Sequence, residues 1–145
     1  MQPGKMPFTE SEIAYLEEQQ LGRLATLRPD GTLQNSPVGF RYNPALGTID
    51  IGGFNLTSSR KYRNIAANGQ VAFVVDDVPS ISPWKVRCLE IRGTAEAIEK
   101  PSDSAYGGDD PIIRVHARRI ISYGTAEQGI IPGHVRPNNR DVSLS

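Results

Sequence analysis

Residues 21–42 read LGRLATLRPDGTLQNSPVGFRY, and they determine how the strands of this chain pair. Apolar and polar residues alternate loosely on both sides of Pro29-Asp30-Gly31-Thr32, which is a strong turn sequence. Two alternating runs joined by so short a turn predict an antiparallel hairpin of Leu21–Arg28 with Leu33–Tyr42. Pro37 has no backbone donor, so it suits a sheet edge or a bulge where backbone groups stay available to a ligand.

The other strands are also joined mostly by short turns. They are predicted at Thr48–Gly52, Gln70–Val75, Arg87–Ile98 and Ile112–Ser122. Gln70–Val75 is apolar on both faces, as expected of a central strand covered on each side by core, helix or a second subunit. The segments Asp76–Pro83 and Lys100–Pro111 are rich in Pro, Gly or Asp and are predicted to be loops.

Two helices complete the prediction. Thr9 and Glu12 form a capping box that indicates a helix over Thr9–Gln20. The second helix follows a glycine-containing turn, and its possible N-caps are Thr57, Ser58 and Ser59. About six strands and two helices favour a mainly β fold, a six-stranded antiparallel barrel with peripheral helices, over a parallel sheet. The same strand spacing also fits a small sandwich.

The length of 145 residues predicts a single domain. Residues 1–8 are expected to form a loose arm and residues 9–123 the folded domain. Residues 124–145 are rich in Gly, Pro, Asn and Ser, so we expect a poorly ordered tail unless a partner holds it.

The composition excludes several classes of function. Sixteen basic and sixteen acidic residues cancel, which argues against nucleic acid and anionic membrane surfaces as partners. A single cysteine and two histidines leave no disulfide framework and no zinc set, and Asp76-Asp77 is better explained as a strand-ending turn than as a metal site. Neither a signal-peptide core nor an apolar run of about 18 residues is present, so a cytoplasmic location is expected.

Positive charge is concentrated at the start of the second helix. Arg60, Lys61 and Arg63 occupy its first turn, where the helix dipole already disfavours cations. Capping hydroxyls, backbone N–H groups and cations together describe an anion cradle, and phosphate is the usual occupant. The alternative is a solvated basic helix.

Five segments in order carry a family resemblance. They are LGRLATLRPDGTLQNSPVGF, GTIDIGG, SSRKYRNIAANGQVAFVVDD, VRCLEIRGTAEAI and IIRVHARRIISYG. Together they resemble the pyridoxamine 5′-phosphate oxidase-like split β-barrel superfamily over residues 9–123. Within it the chain looks most like small actinobacterial F420-dependent oxidoreductases, which bind a deazaflavin. The resemblance implies an FMN-binding-like split barrel that works as a homodimer.

The resemblance also implies where the cofactor lies, in a groove between two protomers. Its phosphate would be held by Ser58, Ser59, Arg60 and Lys61, with Thr57 in the same cradle and Arg63 near the phosphate or the acidic tail of the deazaflavin. Its tricyclic ring would lie along Asn35, Ser36, Pro37 and Val38, with Gly52 and Gly53 close by. Trp84 or Arg87 of the second subunit would close the groove.

Members that bind FMN and oxidise pyridoxamine phosphate carry further basic and histidine residues near the C-terminus. This chain ends in PNNRDVSLS, which does not match that segment, so the resemblance favours the F420 branch with FMN as the alternative.

In a deazaflavin enzyme the cofactor supplies the hydride, and no catalytic side chain is required. The sequence contains no convincing Ser-His-Asp, Cys-His or paired-carboxylate set. His116 is better explained as a solvated or interface histidine, and Cys88 as a packing residue. Three functions remain open: an F420H2-dependent reductase of an unidentified conjugated acceptor, an FMN-dependent oxidoreductase or flavin reductase, and a non-enzymatic binder of a flavin, deazaflavin or tetrapyrrole.

Overall fold

A computed structural model describes residues 6–143. Its helices and strands are α1 (Glu10–Glu18), β1 (Leu21–Leu27), β2 (Leu33–Gly39), β3 (Arg41–Asn43), β4 (Thr48–Ile51), α2 (Arg60–Ala67), β5 (Gln70–Ile81), β6 (Trp84–Ile98), β7 (Ile112–Tyr123) and β8 (Asn138–Asp141). Short 3-10 turns lie at Leu56–Ser58 and Pro132–His134. No helix within the described residues is long and apolar enough to cross a lipid bilayer.

The strands form one antiparallel sheet in the order β2-β1-β5-β6-β7-β4-β3, with β8 added to β7. The predicted hairpin is confirmed, because β1 and β2 pair from Leu27 opposite Leu33 to Leu21 opposite Gly39. Pro37 lies on the edge strand β2, where its missing donor breaks no ladder. The mainly β, antiparallel architecture is therefore confirmed, and β5 is central as predicted, between β1 and β6.

The expected count of six strands is wrong, since the described residues contain eight. One extra strand arises because the predicted strand Leu33–Tyr42 is interrupted at Phe40, and its last part pairs with β4 as β3. The other is β8, which lies in the segment expected to be a tail.

The prediction of a loop at Asp76–Pro83 is also wrong. The β5–β6 ladder continues from Asp77 opposite Arg87 to Ile81 opposite Trp84, so only Ser82 and Pro83 separate the two strands. A register shift between Asp77 and Ser80 accommodates Pro79, which cannot donate to the ladder. The result is a long hairpin whose tip carries exposed apolar side chains, Val78, Ile81 and Trp84.

Both chain ends pack more closely than expected. The tail prediction fails for β8, which pairs with β7, and for Ile130, whose backbone exchanges two hydrogen bonds of 2.9 Å with Val86. Arg140 explains why β8 docks, because its guanidinium binds the buried carboxylate of Glu12. At the N-terminus, Phe8 is buried and packs edge-on against Tyr42, with ring centroids 5.8 Å apart. Residues 1–5 of the predicted arm lie outside the described part.

Helix α1 begins with the predicted capping box. The Thr9 N–H donates to Glu12 Oε1 at 2.9 Å, and the Glu12 N–H donates to Thr9 Oγ1 at 3.2 Å. The helix ends at Glu18, slightly before the predicted end. Its buried residues Tyr15 and Leu16 join a core built from alternate residues of the strands, including Val71, Phe73 and Val75 of β5.

Candidate functional site

The turn after β4 leads directly into the cationic helix. Gly52 and Gly53 follow the strand, Asn55 takes a left-handed conformation (φ 52°), and a 3-10 turn covers Leu56–Ser58. Of the three possible N-caps, Ser59 is the one that caps α2. Its Oγ accepts from the Tyr62 N–H at 3.3 Å and donates to the Leu56 carbonyl at 2.6 Å. Thr57 and Ser58 of the same turn are exposed.

The first turn of α2 carries Arg60, Lys61 and Arg63 and no acidic residue. None of these three cations forms an ion pair or a hydrogen bond with another side chain of residues 6–143. Cations that oppose the helix dipole without a carboxylate partner are available to an anion, and the backbone N–H groups of the turn add to the same attraction. The start of α2 therefore carries positive charge that has no counter-charge within residues 6–143.

The β2 segment expected beside a ring system is half open. Asn35 and Pro37 are exposed, whereas Val38 is buried. Ser36 lies on the inner face with Gln34, whose amide donates to Ser36 Oγ at 3.1 Å. An exposed backbone edge with alternate side chains turned inward leaves a flat surface along β2.

Asn64 connects this strand to the cationic helix. Its side chain is 1% exposed, and its amide nitrogen lies 3.0 Å from Thr26 Oγ1 on β1 and 3.5 Å from Gln34 Oε1 on β2. Asn64 Oδ1 has no hydrogen-bond partner within the described chain. Sequence reasoning missed Asn64 and Gln34, although a polar residue on the inner face of an otherwise apolar helix is a usable signal.

A cavity of about 410 Å³ opens next to Gly52 and Gly53. Its other wall is the β6–β7 connection, where Tyr106 is the largest side chain. The Gly52 N–H donates to the Tyr106 hydroxyl at 3.2 Å. A Cβ at position 52 would lie 3.2 Å from the Tyr106 ring, so glycine allows this close approach. The sequence placed Tyr106 in a polar connection and gave no indication of this contact.

The base of that connection is fixed by a buried carboxylate. Asp50 of β4 binds the Arg114 guanidinium of β7 and accepts from the Ala105 N–H at 2.9 Å. Burial alone would raise the pKa of Asp50, but hydrogen bonds from Arg114, from the Ala105 N–H and from Asn43 outweigh it and hold that pKa below its usual value. The pair is therefore ionised at neutral pH and orients the loop.

The two residues expected to close the groove lie on β6. Trp84 is half exposed at the tip of the β5–β6 hairpin. Arg87 is buried and binds Asp77 through Nε at 2.9 Å and Nη2 at 2.7 Å, and Glu18 at 3.0 Å. The Arg87 hydrogen bonds lower the pKa of Asp77. Within residues 6–143 the Arg87 guanidinium thus binds carboxylates, and its contact with a cofactor stays a prediction.

The remaining titratable groups do not assemble into a second site. No group of three metal-ligating side chains occurs within residues 6–143. His116 pairs with the exposed carboxylate of Glu96 at 2.6 Å. Burial raises the pKa of the Cys88 thiol, which disfavours the reactive thiolate. Chemistry at the candidate site therefore depends on what binds between the cationic turn and β2.

Comparison with known proteins identifies similar chains. The family model described as pyridoxamine 5′-phosphate oxidase matches residues 8–132. A 5a,11a-dehydrotetracycline/5a,11a-dehydrooxytetracycline reductase from Streptomyces rimosus is 47% identical over 124 residues, which cover 82% of this chain and 84% of the reductase. A solved structure described as an F420 reductase is 30% identical, with a TM-score of 0.54 over 72% of this chain and 90% of that one.

A conserved hypothetical protein from Mycobacterium tuberculosis has a similar solved structure. Its TM-score is 0.63, with 22% identity over 84% of this chain and 88% of that one. At this identity the likeness supports the fold alone.

Proposed function

The chain belongs to the pyridoxamine 5′-phosphate oxidase family, and from that premise we propose that it is an F420H2-dependent reductase of a conjugated carbonyl compound. The observation that carries the proposal is the 47% identity to a dehydrotetracycline reductase along most of both chains. The similarity to a structure described as an F420 reductase supports the choice of cofactor. The unpaired cations of α2 support an anionic cofactor.

We assign the phosphate of the cofactor to the start of α2. Ser58 and Ser59 offer hydroxyl groups, Arg60 offers a planar fork of donors, and Lys61 offers a compact charge. Thr57 lies on the adjoining turn, and Arg63 is available to the acidic tail of the deazaflavin. The tricyclic ring is assigned to the flat surface along Asn35, Ser36, Pro37 and Val38, next to Gly52 and Gly53.

The chemistry follows from the relative's substrate. The name of that substrate, 5a,11a-dehydrotetracycline, describes a carbon–carbon double bond between positions 5a and 11a of the tetracycline ring system. When bound, the reduced deazaflavin supplies a hydride to one carbon of such a bond, a proton from water completes the other C–H bond, and the cofactor is left oxidised. The chain binds and orients both partners, and this assignment requires no side-chain nucleophile.

We further propose a homodimer in which the β5–β6 hairpin of one protomer covers the groove of its partner. The hairpin tip presents Ile81, 78% exposed, and Trp84, 51% exposed, which is apolar surface that association would bury. A shallow cavity of about 250 Å³ along Asn35, Ala72 and Val74 lies on the sheet face beside β2 and offers a place for such contacts.

Turnover tests this function directly. Purified protein is mixed with F420H2 and 5a,11a-dehydrotetracycline, and the appearance of oxidised F420 is followed by its absorbance. The proposal predicts protein-dependent oxidation of F420H2 with one reduced acceptor formed per cofactor. Tight binding of F420 without turnover of this or other conjugated enones would indicate a carrier. Turnover with reduced FMN but not with F420H2 would indicate an FMN-dependent enzyme.

A further inference from the structure

Tyr106 separates two neighbouring cavities. The first, of about 410 Å³, is the one between the turn after β4 and the β6–β7 connection. The second, of about 480 Å³, lies beside Gly39, Phe40 and Arg41 near the end of α1. Tyr106 lines both cavities and is 39% exposed, so its side chain forms a shared part of their walls.

The backbone on either side of Tyr106 differs in how firmly it is held. The preceding residues are fixed by the Asp50–Arg114 pair, because Ala105 donates to Asp50 and the Asp103 carbonyl accepts from Asn43 at 2.7 Å. The following residues, Gly107 and Gly108, have φ of +76° and +61° and face open space. Tyr106 therefore stands at the junction of an anchored segment and an unpacked one.

The Tyr106 hydroxyl accepts a hydrogen bond from a backbone N–H that a ligand could use instead. Gly52 and Tyr106 both line the first cavity, and the Gly52 N–H donates to the phenol oxygen at 3.2 Å. On the other side of the ring, the Arg41 guanidinium lies 4.7 Å from the ring centroid and holds it by a cation–π contact. The phenol oxygen thus takes the position that an acceptor oxygen of a ligand would take.

The lining of the first cavity indicates the class of ligand. Leu56, Pro111 and Ile112 are apolar, Thr57 and Ser104 are neutral, and Asp110 carries the single charge. None of the lining residues, all within the described part of the chain, is cationic, so the cavity does not suit a phosphate. A cavity with apolar side chains, the neutral amide of Asn55, no cation and a backbone donor at Gly52 suits a neutral conjugated carbonyl compound.

On the basis of the proposed function, we propose that the Gly52 N–H binds the carbonyl oxygen of the acceptor, and that the Tyr106 hydroxyl holds this donor until the acceptor displaces it. A hydrogen bond to that oxygen stabilises the negative charge that develops there when the conjugated carbon receives a hydride. The acceptor binds only molecules in which the Tyr106 hydroxyl has left the Gly52 N–H. The apparent affinity for the acceptor is therefore its intrinsic affinity multiplied by the fraction of such molecules. Tyr106 is then a positioning residue that sets which acceptors enter.

Tyr106→Phe tests this exchange because it removes the competing oxygen and keeps the ring. The probe is tetracycline, the two-electron-reduced form of the relative's substrate, titrated calorimetrically into cofactor-free protein in the presence of a chelator. We expect binding to tighten by about two- to tenfold, the effect of one competing neutral hydrogen bond. Tyr123→Phe is the control, since Tyr123 lines neither cavity.

The amide resonance of Gly52 gives a second readout that a merely structural role would not move. In Tyr106→Phe its proton should shift upfield, because the hydrogen bond is lost, and tetracycline should shift it back downfield. Unchanged or weaker tetracycline binding in Tyr106→Phe would overturn the exchange, whatever happens with F420. If Tyr106→Phe binds tetracycline more tightly but the protein does not bind F420, the cofactor proposal is wrong and the proposed carbonyl site at Gly52 stands.

Discussion

The Asp50 carboxylate on β4 binds the Arg114 guanidinium on β7 through two hydrogen bonds, Nε to Oδ1 at 3.0 Å and Nη2 to Oδ2 at 3.2 Å. The two residues are opposed in the ladder, and the Asp50 side chain has no contact with solvent. Because Asp50 also accepts from Asn43 and from the Ala105 N–H, the pair positions the connection that carries Tyr106. A buried charge pair outside the cationic helix thus shapes the second wall of the site.

Asp50→Asn should lower the free energy of unfolding by about 3–5 kcal/mol, because it leaves the Arg114 charge buried without a counter-charge. Urea denaturation measures the change. Asp76→Asn is the control, because Asp76 pairs with Arg23 at 2.8 Å where both side chains are about half exposed. Such a surface pair is worth about 1 kcal/mol or less. Equal losses in the two variants would contradict a structural role for the buried pair.

The same carboxylate should make stability depend on pH. Burial alone would raise the pKa of Asp50, and its hydrogen bonds from Arg114, the Ala105 N–H and Asn43 lower it further than burial raises it. A lowered pKa in the folded state means that the stabilisation is present above the unfolded value, about 4, and is lost as the pH falls through the folded value. The difference in stability between wild type and Asp50→Asn should therefore shrink from pH 5 towards pH 2. A difference that stays constant over this range would refute this assignment.

Arg140→Ala should detach β8 from α1. The Arg140 guanidinium donates to Glu12 Oε2 at 3.0 Å and to the Pro7 carbonyl at 2.8 Å, and the Glu12 side chain is 1% exposed. Loss of the partner of a buried carboxylate should cost about 2–4 kcal/mol. Hydrogen exchange should quicken in β8 and at the start of α1.

Arg119→Ala is the matched control for that experiment. Its pair with Asp141 at 2.8 Å joins β7 to β8 but lies at the surface. We expect less than about 1 kcal/mol of destabilisation and unchanged exchange in α1. If both variants behave alike, the docking of β8 depends on its backbone pairing rather than on Glu12.

The sequence predicted those parts of the fold whose signals are local. The turn at Pro29-Asp30-Gly31-Thr32 and the Thr9–Glu12 capping box involve neighbouring residues, and both features are present. The sequence did not predict contacts between residues that are far apart along the chain. Nothing near Arg140 indicates that Glu12, 128 positions earlier, will bind it, and a polar, glycine-rich connection hides the contact of Tyr106 with Gly52. The sequence predicts a loop for the proline-containing segment after Val75, because a ladder to distant residues leaves no signal in local composition.

Ile81→Asp should weaken self-association if the β5–β6 hairpin covers the groove of a partner. The substitution places a charge in apolar surface that the dimer would bury. Sedimentation velocity at micromolar concentration should show a dimer for wild type and a shift towards monomer for the variant. A monomeric wild type would eliminate the shared groove.

Lys61→Ala should weaken F420 binding by about tenfold or more, because one charge–phosphate contact in a partly buried cradle is lost. Lys100→Ala removes a lysine that is exposed and lines neither cavity beside Tyr106, so it should bind F420 like wild type. Equal affinities for all three proteins would remove Lys61 from the cofactor site.

The most direct measurement is a parallel titration of the cofactor-free protein with F420 and with FMN, followed by cofactor fluorescence and by the fluorescence of Trp84. Our account predicts micromolar or tighter binding of F420, much weaker binding of FMN, and loss of F420 affinity in Lys61→Ala. A preference for FMN would contradict the assignment to F420. Binding of neither cofactor would mean that the cationic start of α2 serves a different anion and that the proposed reductase function is wrong.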